Sequence, residues 1–272
     1  MTDEQAPPGV DPTVPSPARM YDYMLRGTHN YPADRGAVEK LRAQMPELED
    51  AAYANRGFHQ RAARWIAQQG VRQFLDIGSG LPTFGNTHDV VQKIQPGAHV
   101  VYVDNDPVVA AYAPELLAGN PAATLIQADL REPDTILTDR DVRGLIDFSQ
   151  PAGVLMTLLL HFVPDTDNPW ALVRRYMEAL APGSYLAISH GTSDYVPPRT
   201  ADAITTTYTR ASQNAHLRPK AGIRRFFSGL EIVPPYPGAE PALTHLGNWG
   251  AEDIDLADSD GSRWAYCAVA RK

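Results

Sequence analysis

Cysteine is nearly absent from this sequence: Cys267 is the only one. A single thiol forms no intramolecular disulfide and builds no cysteine-rich zinc site, and no metal site is expected. Long apolar runs are missing too. The longest, Gly153–Val163 (GVLMTLLLHFV), is about half of the roughly 20 residues that cross a bilayer, and it carries His161. It therefore reads as a buried core element, and no membrane association is expected. Positive charge is in deficit, with 24 Lys+Arg against 32 Asp+Glu and a formal net charge of −8. That balance disfavours a nucleic-acid partner, whose phosphates are held by Lys and Arg displacing counterions. The N-terminus has no apolar stretch suited to a signal peptide, so a cytoplasmic protein is expected.

Proline is in excess: 24 of 272 residues, against a usual share of about 5%. Pro7, Pro8, Pro12, Pro15 and Pro17 crowd the start. Proline removes backbone donors and disfavours helix in the residue before it, so residues 1–17 are expected to form a disordered, extended leader. Hydrophobic residues at 43% and charged residues at 21% are ample for a sizeable core in the rest. Length alone allows one or two domains at ~150 residues each.

From Arg19 to about Gln69 the pattern is helical. Asn55–Gln69 sets Phe58, Ala62, Trp65 and Ile66 on one face, and Gly70 stops the helix. The period then changes. Val71–Ile77, Ala98–Val103, Thr124–Gln127, Gly153–Leu160 and Ser184–Ser189 are short apolar runs. Helical stretches around His88–Ile94, Val108–Leu117 and Trp170–Leu180 separate most of them, the last opened by Asn168 as N-cap and Pro169. Strands alternating with helices, each strand apolar on both faces, predict an α/β fold: a Rossmann-like, doubly wound, mostly parallel sheet. Phe226–Pro234 and Arg263–Ala270 read as an antiparallel C-terminal strand pair at the sheet edge. The expected organisation is a single domain, residues 18–272, with residues 18–54 as an N-terminal helical cap or lid.

The sharpest local signal is FLDIGSG, Phe74–Gly80. An apolar strand runs into Gly78-Ser79-Gly80, a turn that lets backbone approach a ligand beyond the strand ends. An acid, Asp104, ends the next strand at the place of a ribose-binding carboxylate. Dinucleotide enzymes favour a third small residue three positions after the second glycine, and here that position is Thr83, preceded by Pro82. Asp76 lies two residues before the first glycine, an awkward place for an anion beside a pyrophosphate and a suitable one beside a cation. S-adenosylmethionine carries a sulfonium and an ammonium group, so the charge pattern favours it over NAD.

FLDIGSG resembles motif I of class I S-adenosylmethionine-dependent methyltransferases. VVYVDNDP (Val100–Pro107) is similar to the motif whose acid receives the ribose hydroxyls, here Asp104. QADLR (Gln127–Arg131) resembles the motif whose acid faces the adenine amino group, here Asp129. LLLHFVPD (158–165) and LAPGSYLAIS (180–189) are similar to the family's fourth strand and its following helix and strand. More narrowly, PARMYDYMLRGTHNYPADR (17–35), NRGFHQRAARWIAQQGVRQFLDIGSGLPTFGNTH (55–88) and VVYVDNDPVV (100–109) resemble an actinobacterial S-adenosyl methyltransferase family formerly known only as a domain of unknown function. The resemblance runs from about Ala18 to the C-terminus and implies fold and cofactor, not substrate. Where that family commonly has two glycines, this chain has Arg26-Gly27.

On this reading the cofactor residues are Asp76, Gly78, Ser79, Gly80, Asp104, Asn105, Asp129, Leu130 and Thr157, with Tyr21 closing over them from the lid. Tyr23, Asn30, Tyr31 and Arg35 give the lid further aromatic and polar groups. Asp106 reads better as the N-cap of the helix begun by Pro107. His161 and His190, both near strand ends, are the catalytic candidates, with His29 in the lid as a third. Arg218, Arg224 and Arg225 read as a solvated face and Cys267 as core. The Asp/Asn-Pro-Pro-aromatic tetrapeptide of nucleobase amino methylation is missing after the fourth strand. The Pro-Cys pair of cytosine C5 chemistry is missing altogether. The expected function is methyl transfer from S-adenosylmethionine to a small molecule. The alternatives are a non-catalytic S-adenosylmethionine-binding regulatory protein and an NAD(P)-dependent oxidoreductase.

Overall fold

A computed structural model describes residues 6–81, 85–211 and 214–272. Eight strands form one sheet in the order β3-β2-β1-β4-β5-β8-β6, with β7 also paired to β8. The first five, β1 (Gln73–Ile77), β2 (His99–Asp104), β3 (Ala123–Gln127), β4 (Gly153–Thr157) and β5 (Tyr185–Gly191), are parallel. The order reverses between β1 and β4, and such a switch point opens a crevice at the carboxyl ends of the strands.

Alternation along the central strands splits the core between the two faces. Leu75, Ile77, Val101 and Val103 join one apolar cluster; Phe74, Val100 and Tyr102 join the other. Each face is covered by helices, as parallel strands require. Helix α3 (Leu48–Gln68) buries Ala51, Ala52, Asn55, Phe58, His59, Ala62, Ala63 and Ile66 at helical spacing, and Gly70, at φ 91°, turns the chain out of it. The other sheet-covering helices include α4 (Thr87–Val91), α5 (Pro107–Leu116), α6 (Pro133–Thr138), α7 (Arg140–Leu145) and α8 (Pro169–Glu178). Asn168 caps α8 by accepting from the Ala171 amide, and Asp106 caps α5 by accepting from Val108.

The antiparallel C-terminal pairing is present, with a different layout from the one expected. β8 (Ala265–Arg271) is not at the edge; it lies between β5 and the two-residue β6 (Glu231–Ile232), antiparallel to both, and also pairs with β7 (Thr244–His245). The run from Phe226 is interrupted because Arg225–Phe227 closes a 3-10 turn and Gly229 sits at φ 81°. β4 likewise stops at Thr157, since Leu158 takes φ 47°, which a bulky side chain rarely adopts.

A third apolar cluster lies apart from the sheet. It joins α1 (Pro17–Met24), α2 (Pro32–Arg42), the start of α3 and α9 (Pro198–Arg210) through Met20, Met24, Leu41, Met45, Leu48 and Ile204. α9 carries five threonines, whose restricted χ1 lowers helix propensity and hides the helix in the sequence. Two short helices, α10 (Lys220–Arg224) and α11 (Ile254–Ala257), complete the elements named here. Residues 10–16 of the proline-rich leader lie against the domain: Val10 packs on Leu81, Val108 and Val109, and the buried Arg19 guanidinium donates to the carbonyls of Asp11 and Val14. Among the described residues no helix is long and apolar enough to cross a membrane.

Candidate functional site

The carboxyl ends of β1, β2, β3 and β4 open into a cavity of about 570 Å³ that extends under the cap. Its size is that of a small-molecule site. Gly78, Ser79, Gly80, Asp104, Asn105, Asp129, Leu130, Thr157, Tyr21 and His161 all line it. Asp76 and His190 do not. Pro82 and Thr83, which bore on the choice between cofactors, lie outside the described residues.

The glycine turn is built by the backbone. Gly78 and Gly80 sit at φ 68° and 62°, a region favouring glycine. The amides of Gly78 and Ser79 both donate to the Val103 carbonyl, holding the turn against the end of β2. A Cβ on Gly78 would fall 2.3 Å from Leu159, whereas one on Gly80 would meet nothing within 4 Å. The first glycine therefore fits the protein, and the second leaves backbone open beside the cavity.

Asp104 is held by the same turn. Oδ2 accepts from the Gly80 amide at 2.8 Å and Oδ1 from the Asp106 amide at 2.9 Å. A carboxylate has about four acceptor sites, so each oxygen keeps capacity for a ligand hydroxyl. Burial pushes the Asp104 carboxyl up to about 6, against the pull of those two amides. Asp129 is placed differently. Burial opposes its ionisation, yet Arg131 grips both oxygens, with Nε at 3.0 Å from each, and holds the group below the usual range. Its carboxylate is thus already engaged at the cavity wall.

Asp76 is buried behind the turn. It accepts from Thr87 Oγ1 at 2.6 Å, and its other near neighbour is His59, with Nε2 3.6 Å away. His59 meets Thr87 Oγ1 at 2.8 Å through Nε2 and Thr157 Oγ1 at 3.0 Å through Nδ1. Because Thr87 gives its proton to Asp76, His59 Nε2 donates to Thr87, and Thr157 donates to Nδ1. Burial keeps His59 neutral, at about 3, and raises Asp76 to about 6, so the close approach is not an ion pair. Asp76 reaches the cavity only through this chain; the expectation of direct contact is corrected by the burial of its side chain.

His190 is also corrected. Its Nδ1 donates to the Gly191 carbonyl at 2.8 Å, and Nε2 accepts from Arg218 at 2.7 Å. Both nitrogens are committed, which leaves none for proton transfer. Arg218 is itself buried rather than solvated. It donates to the Leu160 and Val163 carbonyls and to Asp165, and its guanidinium lies over Trp170 and Phe226. Arg224 and Arg225 are exposed, and Cys267 is buried in β8.

The lid residues divide in the same manner. Tyr21 lines the cavity, but its hydroxyl is committed: it donates to the Ala52 carbonyl at 3.1 Å and accepts from Asn55 Nδ2 at 2.8 Å. Asn55 Oδ1 accepts from Ser189 Oγ at 2.6 Å, and Ser189 Oγ accepts from the Leu158 amide at 2.9 Å. This chain ties α1 and α3 to the ends of β4 and β5. Asn30 donates to Asp22 and to the Gly27 carbonyl, and Arg35 donates to Asn30, so both fix the loop between α1 and α2. Tyr23 bonds Glu39, Tyr31 is fully buried, and His29 packs edge-on against Tyr112. None of these five lines the cavity.

Sequence reasoning missed Asn55, Arg56 and His59 on α3, Phe162, Tyr208 on α9, and the leader from Gly9 to Ser16. Asn55 and His59, spaced four apart within the buried stripe of an amphipathic helix, were the readable signal. Ser16 donates its hydroxyl to Asp106 and its amide accepts nothing but donates to Asp34 at 2.9 Å, latching the leader beside the acid-bearing loop after β2.

The profile of the S-adenosyl methyltransferase family matches residues 3–272. A protein of Thermobifida fusca assigned as a methyltransferase is similar in structure, with 36% identity, 98% of each chain covered and a TM-score of 0.89. A DUF574 family protein of Streptomyces avermitilis shares 37% identity over 95% of this chain and 98% of its own, with a TM-score of 0.87. No curated protein matches the chain.

Proposed function

The chain belongs to the S-adenosyl methyltransferase family, and from that premise we propose that it binds S-adenosylmethionine at the strand ends and transfers its methyl group to a small molecule. The observation that carries this reading is Asp104, caged by the Gly80 and Asp106 amides with acceptor capacity left toward the cavity. Two hydroxyls of a ribose suit such a carboxylate. The open side of Gly80 leaves room for a ligand to approach the backbone.

The remaining roles follow from charge. Asp104 and Asp106 line this end of the cavity and Asp76 is buried behind it, an acidic setting that suits a ligand bearing a sulfonium and an ammonium. Arg56 lines the same end, donates to Asn86 and eases the ionisation of Asp76. It is the cation we assign to the ligand's carboxylate. Bound there, S-adenosylmethionine supplies a methyl group already activated by the positive sulfur. The protein then contributes mainly orientation, holding donor and acceptor in line. Tyr21, through Asn55 and Ser189, holds the cap at a fixed height over the strand ends. The domain proposed is residues 18–272, with residues 18–54 forming most of that cap.

Calorimetric titration of the full chain with S-adenosylmethionine, S-adenosylhomocysteine and NADH tests the reading. The first two are expected to bind and NADH to give no saturable heat. Preference for NADH overturns the proposal in favour of a dinucleotide enzyme.

A further inference from the structure

Past the strand ends the cavity changes character. The cap presents Leu41, Met45, Leu48, Ile204, Tyr208 and Trp264 to it, all uncharged. The apolar cluster of the cap is therefore hollow on the side facing β4. His161 and Phe162, in the 3-10 turn that follows β4, close the same space. Phe162 touches both neighbouring rings: its centroid lies 4.2 Å from that of His161 and 5.2 Å from that of Tyr208.

His161 is only 7% exposed, and among the described residues neither ring nitrogen has a hydrogen-bond partner; Nδ1 is sealed from solvent altogether. His161 lines the cavity with Nδ1 sealed off, so the nitrogen left to a ligand is Nε2, which has no partner to give up. The titratable and charged groups around it are His190, its ring 5.7 Å away, His216 and Arg218. Burial first, and Arg218 and His216 second, hold His161 at about 3, neutral at physiological pH.

Resting on the methyl-transfer reading, we propose that the acceptor is a neutral, apolar phenol, its hydroxyl bonded to His161 and its ring laid against Phe162 and Tyr208. A carboxylate would be desolvated beside a cap whose lining cation, Arg19, is already paired with Asp34. An alkylamine would enter as a second cation beside the sulfonium. An aliphatic alcohol is too weakly acidic for a neutral, buried imidazole to serve as its base. A phenol avoids all three. In the transfer, the phenolic oxygen forms a bond to the methyl carbon. The methyl–sulfur bond breaks with its electron pair on sulfur, and the phenolic proton passes to the cavity-facing nitrogen of His161. Positive charge thus moves from sulfur to imidazole instead of being created in an apolar space, and the proton leaves to solvent as the ether departs.

The test uses the full chain and the probes 2-naphthol, naphthalene-2-carboxylate and 2-naphthylmethylamine, which share a ring system and differ in charge. S-adenosylhomocysteine is first titrated alone; failure at that step defeats the methyl-transfer reading itself. With it bound, 2-naphthol is expected to bind at least tenfold more tightly than either charged probe. A charged probe binding as well, or no binding by any of the three, overturns the acceptor class while leaving the donor site intact. With S-adenosylmethionine, 2-naphthol is expected to yield its methyl ether, and binding without ether formation also overturns the class. His161→Asn and His161→Gln are expected to keep 2-naphthol affinity within threefold and to lower kcat roughly 10²-fold or more at pH 7. That deficit should shrink as pH nears the phenol's own pKa; a deficit constant across pH marks a merely structural role and overturns the assignment of His161 as base.

Discussion

The two walls of the cavity are made by different means. The sheet wall is mostly backbone: two glycines at positive φ, amides that hold Asp104, and strand ends whose positions follow from a continuous parallel ladder. The cap wall is mostly side chain, drawn from α1, α2, α3, α9 and the C-terminal 3-10 turn (Gly261–Trp264). One wall is rich in acids; the other is mostly apolar, apart from His161 and from Arg19 of α1, whose guanidinium is paired with Asp34. A ligand with charges and hydroxyls in fixed places needs the first kind. A ring recognised by shape needs the second. If the proposed donor and acceptor sites are right, the difference implies that their specificities can be altered separately, and substitutions on each wall can break that claim.

The largest effect is expected at Gly78. Alanine there must hold a left-handed backbone, costing roughly 1–2 kcal/mol, and its Cβ meets Leu159 at 2.3 Å, adding about 1–3 kcal/mol of overpacking. Gly78→Ala should lower Tm markedly in a thermal melt, by the sum of both effects. Gly80→Ala, with φ 62° and open space around its Cβ, should cost only the backbone part in stability while weakening donor binding. Equal loss of stability in the two variants would show that Leu159 moves aside freely.

Next in size is Asp104→Ala, expected to weaken S-adenosylmethionine binding by roughly 1–3 kcal/mol, since it leaves polar groups unpaired. Naphthol binding, measured on the other wall, should stay within about threefold. Coupled losses would refute the separation of the walls.

The pH dependence is a sharper test of the sheet wall. Asp76 and Asp104 have native pKa values raised to about 6 by burial. The native state therefore retains protons that the unfolded chain releases from about pH 4 upward. Their contribution to the stability of the ligand-free protein is greatest in acid and is lost as pH rises through 6. A cationic donor favours the ionised carboxylates, so its affinity should rise between pH 5 and 7.5, roughly tenfold for each carboxylate that must ionise. Calorimetry at the two pH values checks it, and affinity flat across that range would mean that neither carboxylate senses the donor. 2-Naphthol, on the mostly apolar wall, should show no such rise.

The same contrast explains what was legible in the sequence. Gly78, Gly80, Asp104 and Thr157 line the cavity within a few residues of a strand end, and strand ends are marked locally by apolar runs meeting turn residues. The parallel order was readable because Leu75 and Phe74 serve opposite faces, which leaves the strands apolar throughout. The cap wall has no local signature. Tyr208 sits on a threonine-rich helix whose propensity argues against helix, and it meets Phe162 only through the fold. Nor do residue types reveal commitment. His161 and His190 look equivalent along the chain, yet Arg218, a distant residue, occupies one and leaves the other free. Asp76 was misjudged for a related reason: its strand position points it away from the cavity, into Thr87 and His59.

The smallest effect is expected in the cap, at Arg26. Arg26 holds φ 59°, the left-handed conformation that glycine adopts without penalty. Its neighbour Gly27 has no such choice, because a Cβ there would fall 2.0 Å from Asp22 Oδ1. Asp22 is buried, and its Oδ2 accepts from Asn30 and from the His29 amide, so swinging Oδ1 aside would strain both bonds. Of the two adjacent positions, Gly27 is the one that excludes a side chain. Arg26→Gly should relieve about 1–2 kcal/mol of backbone strain while giving back about 0.5–1 kcal/mol as added freedom of the unfolded chain. A net gain of about 0.5–1 kcal/mol is expected, seen as a small rise in Tm with donor affinity unchanged. A fall in donor affinity would instead give the Arg26 side chain a part in the sheet wall and so breach the division between the two.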